Sequence, residues 1–178
     1  MGHITTYSGH KIDPLEPNID CIDIRDIAHA LSLTCRGNGH VKTFFSVGQH
    51  CVMCAKEAEA RGYSKRVVLG CLLHDASEAY MSDVPRPFKV VLKEYVDAED
   101  KLIDLIYTKY LGCTLNKEEK ILVSSVDDAV LYYDMLELFG IEWEQNPPEI
   151  NVKADYSVQP FEDVEKEYLQ LFEKWMKK

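Results

Sequence analysis

A chain of 178 residues, 46% of them hydrophobic, is long enough for one domain with a sizeable core. Its 30 acidic residues outweigh 20 Lys and Arg, and the net charge of -10 argues against a nucleic-acid duplex or an anionic membrane as the main partner, since both reward a basic surface. No apolar run approaches the ~20 residues of a membrane span and no basic-then-apolar leader opens the chain, so a cytoplasmic setting is expected, in keeping with six scattered cysteines.

Residues 1–20 hold no period and read as irregular. From Ile22 to Leu33, the apolar positions Ile24, Ile27, Ala28 and Leu31 step at helical spacing. Cys35-Arg-Gly-Asn-Gly-His40 is a polar, glycine-punctuated loop. Ser46-Val-Gly-Gln49 has capping-box form, so a helix should run from there to Arg61 and stop at Gly62. Cys51 and Cys54 lie within it. With no second such pair in the chain they are expected to pack as small hydrophobes, not to bind zinc or cycle redox states.

Ser64 can cap the next helix, whose Val67, Val68, Cys71 and Leu72 lead to His74-Asp75. Two prolines in Ser82-Asp-Val-Pro-Arg-Pro-Phe88 must break it. A long helix is predicted over 88–110, closed by Gly112, and another from the cap Asn116-Lys-Glu-Glu119 through Phe139, ended by Gly140. Residues 141–160 contain three prolines and read as a loop, with short strands an option; of two roles, a cap on the site or an inert surface connection, the second is expected. Phe161 to Lys178 is an amphipathic helix. The expectation is an all-α single domain over 1–178, its core at about 20–140, followed by the 141–160 loop and the 161–178 helix.

The chemistry concentrates at His74-Asp75, where an apolar run ends in an imidazole and a carboxylate, with Glu78 one turn on. Burying such groups is costly without a partner, and a divalent metal accepts both. Residues four apart share a helix face, so Glu78 should look the way His74 does. His50 borders the face of Val47, Cys51, Cys54 and Ala58, and Asp127-Asp128 flank the stripe of Leu122, Val126, Val130 and Leu131. Three packed helices can bring such donors to one point.

Three stretches carry a resemblance: Asp26 to His40, Phe45-Ser-Val-Gly-Gln-His50, and Leu72-Leu-His-Asp-Ala-Ser-Glu-Ala-Tyr-Met-Ser-Asp-Val-Pro-Arg-Pro-Phe-Lys89. Together they resemble the HD-domain phosphohydrolases, above all the small bacterial 5′-deoxynucleotidases (the YfbR-like group) and phage-type deoxynucleoside triphosphohydrolases. The resemblance implies a helical bundle with one divalent metal between helices (Mn, Co, Fe, Zn or Mg), held by His50, His74, Asp75 and Asp127, with Asp128 the alternative fourth ligand. It implies catalytic roles for Glu78 and Asp83, and substrate contacts for Arg36 and Lys89.

The expected activity is therefore release of phosphate from deoxynucleoside monophosphates. The alternatives are triphosphate release from deoxynucleoside triphosphates, and a non-catalytic nucleotide sensor. A homo-oligomer is expected from the same resemblance. Two departures stand out. Ser124 replaces a lysine three residues before the metal aspartate, and Gly37 follows Arg36 where relatives carry a bulky residue, which should widen the base pocket.

Overall fold

The computed structural model describes residues 2–142 and 146–178, so Trp143, Glu144 and Gln145 of the expected 141–160 loop lie outside the described residues. The chain is mostly helical. A two-residue antiparallel pair, β1 (Ile4–Thr5) and β2 (Lys11–Ile12), gives residues 1–20 more order than their composition suggests. The turn between them is fastened by Ser8, whose backbone N–H and hydroxyl donate to the two carboxylate oxygens of Asp26 at 2.6 and 2.7 Å.

Asp26 lies on α1 (Ile24–Leu33), which Asp23 caps. α2 (Val47–Ala60) starts at the expected capping box of Ser46 and Gln49, and α3 (Lys65–Leu73) starts at Ser64. α3 ends at Leu73. The following N–H groups bond three residues back, Ala76 to Leu73 and Glu78 to Asp75, before the single turn of α4 (Glu78–Met81). His74 and Glu78 therefore do not share a regular helix face; a tight turn sets their relative direction.

The helix expected over 88–110 is split. α5 (Arg86–Lys89) is one turn that begins after Pro85, and α6 (Lys93–Leu111) starts afresh and closes at Gly112 with a left-handed φ of 81°. Val90 and Val91 between them are 84% and 75% exposed, so no buried face carries the helix through. α7 (Lys117–Asp134) starts at the Asn116–Glu119 capping box, then widens into a π turn over Met135–Phe139 that Gly140 ends. α8 (Phe161–Lys177) closes the fold. No strand occurs among the described residues of 141–160.

α2 and α3 lie side by side, α7 packs across both, and α8 covers α1, α2 and α3. The buried cluster runs past residue 140: Tyr168 is fully buried and donates its hydroxyl to the carbonyl of Leu72 at 2.7 Å, while Leu171, Phe172 and Trp175 join the same core. No described helix is long and apolar enough to cross a membrane. This packing brings the end of α3 to the start of α2 and the middle of α7, where the polar residues meet.

Candidate metal centre

His50 stands in the first turn of α2 and is fully buried. Its Nδ1 lies 2.8 Å from Asp134 Oδ2. A carboxylate can only accept here, so Nδ1 carries the proton. His74, at the C-terminus of α3, donates Nδ1–H to the carbonyl of Cys71 at 2.8 Å. With Nδ1 of each ring committed, each Nε2 is the nitrogen left to bind an ion, the arrangement that outer carboxylates and carbonyls impose on metal-bound histidines. The two Nε2 atoms converge on Asp127 Oδ1, at 3.0 Å from His50 and 3.6 Å from His74. His74 Nε2 has no hydrogen-bond partner.

Acceptors that face one another away from water repel unless a positive charge sits between them. The site's own field states the same demand. Burial opposes the imidazolium at His50, and so does Arg36, yet Cys54, Asp134 and Asp127 outweigh them and push its pKa well above the usual value. At His74 burial again opposes charge, and Asp75, Cys51 and Asp127 override it. Burial would raise the Asp127 carboxyl, but the two histidines beside it hold it far below the carboxylate range. A divalent cation would satisfy all three, so these donors fit a metal ion. One donor atom each from His50, Cys54, His74 and Asp127 lies within 4.8 Å of the others, and Cys51, His74 and Asp75 form a second, overlapping set.

The expected donors are therefore brought together, with Asp75 slightly apart. Its Oδ2 is 3.3 Å from His74 Nε2 and 3.5 Å from Arg36 Nη1. Asp127 faces the site, whereas Asp128 is exposed and looks onto a shallow depression with Lys117, Lys120 and Ser125. Arg36 is held between two carboxylates, Asp75 and, at 3.2 Å, Asp134. Glu78 is buried with Oε2 unpartnered. Burial and repulsion from Asp75 and Asp83 push its pKa up to about 9. Asp83 is half-buried and near enough to act on Glu78. Lys89 stands off the donors, its Nζ paired with Glu99 at 2.8 Å, though its charge reaches Glu78 and Asp75.

Four participants escaped the sequence. Asp134 had a readable signal, since it follows Asp127 by two helical turns within an apolar run. Arg86, whose Nη2 lies 3.4 Å from Asp127 Oδ2 at the exposed rim, had none. Tyr156 donates its hydroxyl to Asp134 Oδ1 at 3.0 Å and packs on Phe45, so the 141–160 segment is not an inert connection. Cys54 packs in the core as expected, and its Sγ also lies 3.5 Å from His50 Nε2, at the edge of the donor cluster.

Gly37 needs its left-handed φ of 57°, and the space beside it is filled. An added Cβ would stand 2.5 Å from Cζ of Phe139, so the missing bulky residue does not open the pocket there. Beside His74 and Asp127 a cavity of about 220 Å³ is walled by Ile103, Tyr107, Leu115, Lys120, Val123 and Ser124. Lys120, one turn before Ser124 on α7, gives this wall a cation near the position of the missing lysine.

No family model matches the chain. It is similar to the uncharacterized protein YfdR of Escherichia coli (strain K12), 39% identical over 110 residues, which cover 62% of this chain and 59% of that protein. It is also similar to the uncharacterized protein RCAP_rcc00048 of Rhodobacter capsulatus, 35% identical over 109 residues, covering 58% of this chain and 55% of the relative. The chain thus matches a little over half the length of these curated relatives.

Proposed function

We propose that this protein is a metal-dependent phosphohydrolase of the HD-domain type, acting on deoxynucleoside monophosphates as a 5′-deoxynucleotidase. The observation that carries the reading is the convergence of Nε2 of His50 and His74 on Asp127 Oδ1 in one cluster of possible metal donors, with the buried, unpartnered carboxyl oxygen of Glu78 nearby in sequence. The resemblance of the His50 and His74–Lys89 segments to that family supplies the substrate class.

His50, His74, Asp127 and Asp75 would hold a divalent ion, which would acidify water and neutralise charge building on the phosphoryl group. Asp134 fixes the ring of His50, and Arg36 spans Asp134 and Asp75, so these three keep the donors aimed. Once a bound ion offsets the burial and repulsion that raise its pKa, Glu78 would take a proton from the attacking water, and Asp83, acting beside it, would return one to the leaving oxygen. Arg86 at the rim and Lys89 behind it offer positive charge to a phosphate. Arg36 can join them by exchanging Asp75 for a phosphate oxygen, a bidentate contact that suits its planar fork.

A triphosphohydrolase reading draws support from Lys120, which lines the cavity next to Asp127 where a longer phosphate chain would extend. The experiment is to strip the protein of metal, then incubate it with dNMPs and dNTPs under separate additions of Mn, Co, Mg and Zn. Inorganic phosphate from dNMPs is expected. Intact triphosphate from dNTPs would transfer the assignment to the second reading. Binding of nucleotide without turnover by the metal-loaded protein would make it a sensor.

A further inference from the structure

We propose that Cys54 is itself a metal ligand alongside His50, His74, Asp127 and Asp75, which makes the centre selective for a thiophilic ion such as zinc, cobalt or ferrous iron over magnesium or manganese. This rests on the metal-site reading above and goes beyond it, because the ligand set implied by the family resemblance contains no sulfur.

The spacing comes first. His50 and Cys54 are four apart on α2, so both side chains leave the same face one turn from each other. Both are fully buried. Cys54 Sγ lies 3.5 Å from His50 Nε2. An ion with bonds of ~2.3 Å to sulfur and ~2.05 Å to nitrogen, at a tetrahedral angle, sets those two donors about 3.5 Å apart. The edges from Asp127 Oδ1 to the two Nε2 atoms, 3.0 and 3.6 Å, fall in the range of about 2.9 to 3.4 Å or just above it, as expected between right-angled and tetrahedral arrangements at similar bond lengths. All four donors lie within 4.8 Å of one another.

A thiol hydrogen bond to His50 does not account for the cluster. Such a bond involves Cys54 and His50 alone, whereas Cys54 Sγ shares one cluster with Nε2 of both histidines and an oxygen of Asp127. When the ion enters, the S–H bond breaks, the sulfur lone pair forms the metal–sulfur bond, and the proton leaves to water. Soft sulfur then adds to imidazole and carboxylate, a set that favours zinc and its neighbours over the hard oxygen-seeking ions. Cys51 is the natural control. It is equally buried on the same helix but grouped with His74 and Asp75, outside the His50–Asp127 cluster.

The test loads the metal-stripped full chain with Co²⁺ alone and records its absorption. Wild type should show a near-ultraviolet thiolate-to-cobalt charge-transfer band beside the visible cobalt bands. Cys54→Ser and Cys54→Ala should lose that band while keeping visible cobalt bands, and Cys51→Ala should keep it. Circular dichroism verifies that each variant is folded, and the near-isosteric serine guards against a packing defect. Zn²⁺ affinity should fall at least about 10- to 100-fold in Cys54→Ser, with Mn²⁺ affinity within about 3-fold of wild type. A charge-transfer band that survives in folded Cys54→Ser, or cobalt bound by wild type without any such band, overturns the sulfur ligand and leaves the metal site standing. Failure of wild type to bind cobalt by dialysis overturns both.

Discussion

At the scale of single residues, outer partners decide which nitrogen of each histidine is turned inward. Asp134 ties up one nitrogen of His50 and the Cys71 carbonyl ties up one of His74, so the opposite nitrogens face Asp127, with Cys54 beside His50 and Asp75 beside His74. Asp134 should therefore matter to metal binding without touching the metal. Asp134→Asn is expected to weaken Co²⁺ or Zn²⁺ affinity about 10- to 100-fold, measured by competition with a chromophoric chelator. An unchanged affinity would mean that the ring of His50 is oriented by packing alone. Glu78 is the complementary case. Glu78→Gln should retain metal and lose ~100- to 10,000-fold in turnover, and equal kcat in the variant would remove Glu78 from the proton path.

At the scale of elements, caps decide where the donor-bearing helices begin. α7 starts where Asn116 accepts from Glu119 N–H at 2.9 Å and the Glu119 side chain accepts from Asn116 N–H at 2.9 Å. The same Glu119 pairs with Arg66 of α3, which also donates to the carbonyls of Leu111 and Thr114. That network fixes the start of α7 against α3, and Asp127 sits three turns into α7. Asn116→Ala is expected to destabilise the fold by about 1 kcal/mol. At this chain length that lowers Tm by roughly 2–4 °C in a thermal melt. A melt matching wild type would show that Glu119 and Arg66 hold the helix start unaided. The break between α5 and α6 teaches the opposite lesson: Val90 and Val91 continue an apolar pattern in sequence, but they find no surface to cover, so the helix does not continue.

At the scale of the whole molecule, the residues after 145 are stitched to the bundle by polar groups as much as by apolar ones. Glu57 of α2 is fully buried and accepts from the N–H groups of Asn151 and Val152 at 2.7 and 3.0 Å, from Asn151 Nδ2, and from Arg61. Burial would raise its pKa, but these donors outweigh burial and hold it below the usual 4.5. The sign follows from linkage. A carboxyl depressed in the folded state contributes its full stability above its unfolded value, and loses it as pH falls through the folded one. The stability of wild type against urea should thus fall as pH drops below about 4.5, and Glu57→Gln should flatten that part of the profile. An identical acid slope in the variant would assign the dependence to other carboxylates. Tyr156, delivered by the same segment to Asp134, makes this attachment part of the site's support.

The sequence alone reached the helical character, the caps at Ser46, Ser64 and Asn116, and a set of donors in which Asp127 and Asp128 were both admissible. Those features are local: a cap needs three residues, a helix face needs spacings of three and four, and His74-Asp75 is conspicuous because charge interrupts an apolar run. Tertiary structure alone decided which aspartate turns inward, that Cys54 joins His50 and does not merely pack, that Phe139 fills the space at Gly37, and that Tyr156 reaches Asp134 from beyond the bundle. Each of those depends on the rotation of one helix against another or on a contact spanning many residues. Spacing along a chain fixes directions within an element; only packing fixes what stands opposite.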